Sequence, residues 1–457
     1  MNTLVCLKAR DGSAKRGCAR AVAISTAATS LLSASVLAGD DQLSLAWDWQ
    51  VSAEAVQSRD TPWLNEPEYH RQSVNALLDL EVNYAQWLGL FSIKGDDLYH
   101  EQSRQEIPDS HSDTQLIVRE LFWQHSVSLS NSLFGDQYID VTLGKMRLDW
   151  GVGYGYRPLD VIKPYRQNPV GIVAEEGAGI ALLSVFDDSG EWTLLYSDSS
   201  WGSQEVNQLE RASEQQGVGV KRYNLIGDHE YQWLAYYDDV RHGLLGASLV
   251  SVLNLAWEFH GSMVYQRHSL GYSLPDEQYQ PVQLEEQGDA FQVLVGLTWA
   301  NDTGHNIVLE YWYDSRAWSD SEWQAAIHRA QGLSQLPSTQ PLASAYAQGY
   351  QHANIVEHNL MAHWSLEPSG WRHWFADDAS VWAWLDLDDV TPTLDLMFAP
   401  QDGGIIATQW INYQAIDNGN ASVELELAAR FLGGNKDSAY ANLPDSHMIL
   451  LNIKGRF

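Results

Sequence analysis

Cysteine is nearly absent from this sequence, and both of its cysteines lie close to the N-terminus. Cys6 and Cys18 are the only two in 457 residues. They fall in a stretch with the plan of a secretory signal peptide: cations from Lys8 to Arg20, an apolar run of small residues, and small residues up to Ala38. We therefore predict a signal peptide at 1–38 and one domain at 39–457. That domain has no disulfide, no thiolate nucleophile and no thiolate metal ligand.

Positive charge is also scarce. Residues 1–38 hold five of the 27 Lys and Arg and one of the 59 Asp and Glu, which leaves 22 cations against 58 carboxylates. Such a chain repels phosphate groups, so nucleic acid is excluded as a partner. Long apolar runs are missing too. After residue 38 no stretch reaches the ~18 uninterrupted apolar residues of a membrane-spanning helix.

Tryptophan and tyrosine, in contrast, are abundant, with 20 and 21 copies. Rings in such numbers suit a membrane–water interface. The chain also repeats segments of period two, as in "LLDLEVNY", where Leu78, Leu80 and Val82 share one face and Asp79 and Glu81 the other. Segments of about ten residues, charged on one face and apolar on the other, favour a transmembrane barrel over a soluble sandwich.

We predict an all-β fold, a transmembrane antiparallel β-barrel of about 18 strands, within a range of roughly 16 to 20. Nineteen segments fit the pattern, and because barrels of this kind have even strand counts, one of them is surplus or a split strand. The segments are 43–56, 73–86, 88–99, 114–129, 137–149, 177–186, 191–201, 215–226, 229–239, 243–253, 255–267, 290–300, 305–316, 354–366, 377–387, 392–400, 404–414, 421–432 and 446–457.

The connections between these segments differ in length. Short turns at 187–191 and 227–229 are expected on the periplasmic side, and longer insertions on the extracellular side. The long insertions are 57–72, 100–113, 268–289 and 317–353. Within the last one, Ser319 and Asp320 are possible N-caps for a short helix that reaches Gly332.

One strand changes the parity of its apolar face. In "YIDVTLGKMRLDWG", Val141 and Leu143 lie at odd positions, whereas Met146 and Leu148, beyond Gly144, lie at even ones. One extra residue in the strand would cause this change, so we predict a β-bulge near Gly144. The charged residues that follow would then point into the lumen.

The next stretch, "WGVGYGYRPLDVIKPYR" at 150–166, has too much glycine for a helix and too much proline for a sheet interior. Its glycine spacing does not fit a phosphate loop, and we predict an inward-folded loop instead. Its charges either form a selective constriction or pair to brace the barrel, and both alternatives are open. The candidate substrate-binding residues are Lys145, Arg147, Asp149, Tyr154, Arg157, Asp160, Lys163, Arg166, Glu175 and Glu176.

The stretch "LGKMRLDWGVGYGYRPLDVIKP" resembles the strand-and-loop signature of substrate-specific outer-membrane porins, including the alginate-export type and related barrels. The final segment, "MILLNIKGRF", resembles the C-terminal strand of bacterial outer-membrane barrels in ending on Phe457. The resemblance implies a barrel of about eighteen strands that passes a small or polymeric solute.

We therefore expect a bacterial outer-membrane channel for small polar solutes, passive or facilitated, with a net-acidic lumen narrowed by the loop at 150–176. Outer-membrane lipid and lipopolysaccharide would surround it. Two other functions stay open: a barrel that anchors or assembles an extracellular partner, and a barrel lipid hydrolase. No G-x-S-x-G is present, and His358 and His363 fall on opposite faces of one segment. We predict no enzyme activity, no cofactor and no metal site.

Overall fold

The structure is a computed structural model that describes residues 43–63, 70–101, 109–131, 135–163, 170–371, 389–419 and 421–456. Within these ranges the chain forms twenty β-strands and three α-helices. The strands are β1 Ser44–Ser58, β2 His70–Tyr84, β3 Trp87–Glu101, β4 Asp109–Asn131, β5 Gly135–Met146, β6 Ala178–Asp187, β7 Gly190–Asp198, β8 Gln216–Ile226, β9 His229–Asp238, β10 Leu244–Val252, β11 Trp257–Gln266, β12 Ser269–Ser273, β13 Gln283–Gln287, β14 Ala290–Ala300, β15 His305–Asp314, β16 His358–Leu366, β17 Val390–Ala399, β18 Gly404–Asp417, β19 Ser422–Gly434 and β20 Asp445–Arg456. The helices are α1 Gln208–Ala212, α2 Asp320–Leu333 and α3 Gln340–Ala345.

Eighteen of the strands form one sheet in which each pairs antiparallel with its neighbour in the chain. The sheet closes because β1 pairs with both β2 and β20. Strands β12 and β13 stand apart as a hairpin between β11 and β14. The predicted barrel of about eighteen strands is confirmed. Of the nineteen predicted segments, 377–387 lies outside the described residues, and each of the others overlaps a barrel strand.

The outer face of the barrel carries exposed apolar side chains. On β14, for example, Phe291 and Val295 are 48% and 45% exposed, whereas Gln292 and Leu294 on the opposite face are buried. Many exposed aromatic rings lie near strand ends, including Tyr84, Trp87, Phe186, Trp192, Trp257, Tyr237, Phe398 and Phe431. A continuous apolar surface bounded by aromatic residues is typical of a barrel that faces lipid.

The two ends of the barrel differ in the length of their connections. One end, here called the turn end, has the short links 85–86, 188–189, 227–228, 253–256, 301–304 and 418–421. The other, here called the loop end, has longer links such as 199–215, 267–289 and 315–357, together with the short links 239–243 and 400–403. The predicted grouping of short turns and long insertions agrees with this arrangement, while the side of the membrane on which each end lies stays a prediction.

At the loop end the helices pack into an apolar cluster. Helix α2 confirms the predicted short helix with Ser319 as its N-cap, and Ser319 and Glu322 form a capping box in which each bonds the other's backbone N–H. Its buried face, which includes Trp323, packs with Trp318, Tyr272 and Tyr346, and all four residues are at most 2% exposed. No helix among the described residues is long and apolar enough to cross a membrane.

The predicted bulge near Gly144 is wrong. The register of β5 is continuous across Gly144 on both sides, against β4 and against β6. Gly144 instead has φ +135°, and a Cβ there would meet the backbone of Leu121 and Phe122. Beyond Gly144 the apolar residues change face because Met146 and Leu148 pack in the apolar cluster inside the barrel, while the strand register stays unchanged. The register shift lies in the neighbouring pair, where Leu90 faces Glu120 but Phe91 faces Val118, so that Arg119 is the extra residue.

Candidate functional site

The chain between β5 and β6, residues 147–177, folds into the barrel, and we call it the inward segment. Its described parts are 147–163 and 170–177. Leu148, Leu159, Val161 and Ile162 are buried against inner-wall side chains. Those wall residues are Ile180, Leu182, Leu195, Leu234, Tyr236, Leu244 and Val264 of β6, β7 and β9–β11. At roughly 1.5–3 kcal/mol per fully buried side chain, this contact contributes several kcal/mol to docking of the segment.

The glycine-rich start of the segment packs against another part of the wall. Val152, Tyr154 and Tyr156 lie on a cluster formed by Leu294 of β14, Trp312 of β15 and Met361 of β16. Gly153 and Gly155 lie so close to this wall that a Cβ would collide with the Leu294 and Met361 side chains respectively. The glycines therefore allow close approach of the backbone to the wall.

Glu310 of β15 holds this part of the segment through its backbone. Its carboxylate accepts hydrogen bonds from the N–H of Tyr154 at 2.6 Å and of Gly155 at 2.8 Å. The same carboxylate lies 2.9 Å from Nε2 of His260 on β11. Glu310 is 2% exposed, so hydrogen bonds to its charge form in a site with little water.

The Tyr156 hydroxyl forms a second attachment to the wall. It lies 2.9 Å from the Gln292 side-chain oxygen and 2.9 Å from the Asp314 carboxylate. Arg316 donates to the same carboxylate at 2.7 Å. Burial, together with the Asp314 charge, raises the pKa of the Tyr156 hydroxyl well above its usual value, so the hydroxyl stays protonated and donates.

The charged residues at the start of the segment form one network. Asp160 accepts hydrogen bonds from the N–H of Trp150 at 2.8 Å and of Gly151 at 2.7 Å. Arg157 forms ion pairs with Asp149 and with Asp160, the latter at 3.3 Å. Burial raises the pKa of Asp160 to about 6, although the Arg157 guanidinium opposes that effect. These contacts fold the segment back on itself.

Lys145 and Glu176 form a separate pair at the two ends of the segment. Nζ of Lys145 is 2.5 Å from Oε1 of Glu176, and the two residues are 7% and 1% exposed. Burial alone would raise the pKa of Glu176, but the hydrogen bonds from Lys145 and from the N–H of Gln204 and Ser203 hold it at about 2. The geometry of this pair supports the bracing alternative for these two residues.

Arg147 is the least buried of the predicted site cations whose ion pairs the structure describes. Its side chain is 35% exposed and lies 3.6 Å from both Asp149 and Glu175. Lys163 is partly buried, and this burial lowers its pKa while Glu176 opposes the effect. Arg166 lies outside the described residues. Of the predicted residues, the structure thus joins Arg147, Asp149, Arg157, Asp160 and Glu175 in one network.

The remaining predicted residue, Tyr154, belongs to the contact with Glu310 and also packs on His363 of β16, with ring centroids 4.3 Å apart. Glu310, His260 and Asp314 were not among the predicted site residues. Their only sequence signal is a polar side chain on the inner face of a strand. That signal does not indicate which polar residue meets a segment some 150 positions earlier in the chain.

Comparisons with known proteins were made for the whole chain. No family model matches it, and no curated protein matches it in sequence. Solved structures do show similarity: Acinetobacter baumannii OccAB1 at 11% identity and a TM-score of 0.47, covering 90% of this chain and 96% of that one. Pseudomonas aeruginosa OccK7 (OpdD) has 9% identity, a TM-score of 0.49 and coverages of 92% and 99%. Pseudomonas aeruginosa OprD has 8% identity, a TM-score of 0.41 and coverages of 91% and 95%.

These three similarities are to Occ- and OprD-type proteins, and they give no support to the alginate-export part of the resemblance stated from the sequence. With identities near 10% and TM-scores below 0.5, they decide neither the fold nor the function of this chain. The fold rests on the strand pairing, and the function has to be argued from the geometry of the lumen.

Proposed function

We propose that this protein is a bacterial outer-membrane channel for small polar solutes, narrowed by the inward segment. The observation that carries the proposal is the attachment of the inward segment to the inside of a closed barrel with an apolar outer face. Barrels of 16–18 strands enclose an aqueous lumen, so a segment folded into one reduces its cross-section. Lipid and lipopolysaccharide would contact the apolar outer face.

The path of the solute follows from the two sides of the lumen. The covered wall is the inner face of β2, β4, β6, β7, β9–β11 and β14–β16, on which the inward segment packs. The open wall is the inner face of β1, β19 and β20, which carries half-buried and exposed charged side chains. Solutes would pass between the inward segment and the open wall, where polar groups can replace part of their hydration.

The open wall is charged but largely paired. Lys454 lies 3.1 Å from Glu424 and 3.4 Å from Glu426, and Arg456 lies 3.6 Å from Asp48. Because carboxylates outnumber cations in the whole chain, we propose a net-acidic lumen that favours cations and neutral solutes over anions. The reversal potential across a KCl gradient measures this preference, and a clear anion preference would reject it.

Single-channel recording in planar bilayers tests the channel itself. The wild-type protein should conduct, and deletion of residues 151–166 should enlarge the unit conductance because the obstruction is gone. A matched deletion at the loop end, residues 276–280 at the tip of the β12–β13 hairpin, should leave the conductance close to wild type. Absence of any wild-type current would reject the channel, whereas equal conductance in wild type and the 151–166 deletion would reject the constriction only.

A further inference from the structure

A cluster of two histidines and one glutamate lies at the loop end. His242 is in the turn between β9 and β10, His268 directly precedes β12, and Glu286 is on β13. One ligand atom from each residue, an imidazole nitrogen or a carboxylate oxygen, lies within 4.8 Å of the other two. Nδ1 of His268 is 2.7 Å from Oε1 of Glu286, and the two imidazole rings are 5.1 Å apart.

The main chain holds these residues together. The N–H of His268 donates to the carbonyl of Arg241 at 3.1 Å, and the N–H of Arg267 donates to the carbonyl of Gly243 at 3.0 Å. These two bonds join the β9–β10 turn to the link between β11 and β12. The pairing of Leu270 with Glu286 in the hairpin then places the glutamate next to His268.

Both connections are anchored. In the hairpin, Tyr272 is 1% exposed, its N–H donates to Nε2 of His352 at 2.9 Å, and its carbonyl accepts from the Trp318 indole at 2.6 Å. In the turn, His242 has φ +55°, and its Nε2 lies 3.0 Å from the carbonyl oxygen of Asp239, which orients the ring. A hydrogen bond that fixes the ring of a histidine is the usual support of a metal ligand.

We propose that His242, His268 and Glu286 bind one transition-metal ion of the Zn²⁺ type. Two imidazole nitrogens and one carboxylate oxygen form a donor set for zinc and similar ions, whereas Ca²⁺ and Mg²⁺ prefer oxygen ligands. Zinc–ligand bonds of about 2.0–2.2 Å place tetrahedral ligand atoms about 3.3 Å apart. The exposed side chains of His242 and Glu286 can reach this spacing by rotation, with water as the fourth ligand.

Such a site contradicts the absence of a metal site predicted from the sequence. The ligands come from two separate connections, so no short spacing motif marks them. Bound metal would link the β9–β10 turn to the β12–β13 hairpin at the loop end. The proposal does not depend on whether the barrel conducts, because the ligands belong to the loops and not to the lumen wall.

Metal titration of the purified, detergent-solubilised protein tests the site. Isothermal calorimetry with Zn²⁺ should show one ion per chain, and Co²⁺ should give the visible absorption of a tetrahedral site. His242→Ala, His268→Ala and Glu286→Gln should each weaken Zn²⁺ binding by about tenfold or more. Two matched controls, Glu285→Gln on the same strand and His328→Ala on the exposed side of α2, should bind like wild type.

Folding of each variant is checked by circular dichroism, so that a lost site is distinguished from a lost barrel. Equal Zn²⁺ affinity and stoichiometry in the wild type and in the His242→Ala/His268→Ala/Glu286→Gln triple variant would overturn the proposal. An equal loss of binding in the two control variants would overturn it as well, because the effect would then not depend on this cluster.

Discussion

The covered wall and the open wall are built from the same alternating strands but differ in what their inner faces present. The covered wall presents apolar side chains such as Leu234 and Leu294, both at most 5% exposed under the inward segment. The open wall presents charges such as Asp48 and Lys454, whose side chains are 48% and 40% exposed. One side of the lumen is thus an apolar packing surface, and the other is a charged surface.

This difference shows how a barrel acquires a constriction without a second domain. Apolar residues on an inner face would be unfavourable against water, so they require a cover, and the inward segment supplies it. Buried carboxylates such as Glu310 then orient the cover by accepting its backbone N–H groups. Charged side chains that do not hold the inward segment, such as Asp48 and Lys454, lie on the open wall.

The largest effect should come from a charge placed under the cover. Leu159 is 2% exposed in the apolar contact with the covered wall. Leu159→Asp removes that burial and adds an unpaired carboxylate, at a cost of more than about 3 kcal/mol to docking. Single-channel records should show a persistently larger conductance. Gln50→Asp on the open wall is the control, and its conductance should stay near that of the wild type. Equal conductance in the two variants would contradict the difference between the covered wall and the open wall.

Loss of the Glu310 charge should have a smaller effect on the same contact. Glu310→Gln keeps the shape but weakens the bonds from Tyr154 and Gly155, which we expect to cost about 1–3 kcal/mol. In bilayer recordings, brief openings of large conductance should become more frequent by about tenfold or more. Glu424→Gln, a matched change on the open wall, should alter ion selectivity and leave the frequency of these openings unchanged.

A pH effect should follow from Asp160. Its pKa is about 6 when the segment is docked, against about 3.9 for an exposed aspartate, so docking binds a proton. Acid therefore favours the docked segment: between pH 7.5 and pH 5 large openings should become about tenfold rarer. Glu176, with a pKa of about 2, stays ionised over this range.

Asp160→Asn provides the control for the pH effect. It should abolish the dependence between pH 7.5 and pH 5 and resemble the wild type at low pH, because its side chain is always neutral. Openings that become more frequent in acid, or an unchanged pH dependence in Asp160→Asn, would contradict the assignment of this effect to Asp160.

Much of the fold follows from local pattern, as residues 73–78 of β2 illustrate: exposed positions alternate with more buried ones, as the period of two in the sequence predicts. The glycines at 153 and 155 likewise indicated a loop outside the regular strands. The parity change at Gly144 was visible in the sequence, but its cause was not, because an inserted residue and apolar packing inside the barrel leave the same trace.

The site could be predicted only in part because its partners are distant in the chain. The charged residues around Arg157 pair with near neighbours, and their clustering was visible. Glu310 and His260 come together only when the barrel closes, and the same holds for His242 and Glu286 at the loop end. The alternation of apolar and polar residues along a strand predicts that a side chain points into the barrel. It does not predict which side chain from another part of the chain contacts it there.

Chemical modification of single cysteines tests most directly whether solutes pass between the inward segment and the open wall. Residues 39–457 include no cysteine, so a single introduced thiol in this range reports on one position. Arg147→Cys on the segment and Glu424→Cys on the open wall should both lose current stepwise when a charged thiol reagent is added. Leu245→Cys, on the outer face and 60% exposed, should not respond. No loss of current at Arg147→Cys and Glu424→Cys, with their modification verified by mass, would contradict the account.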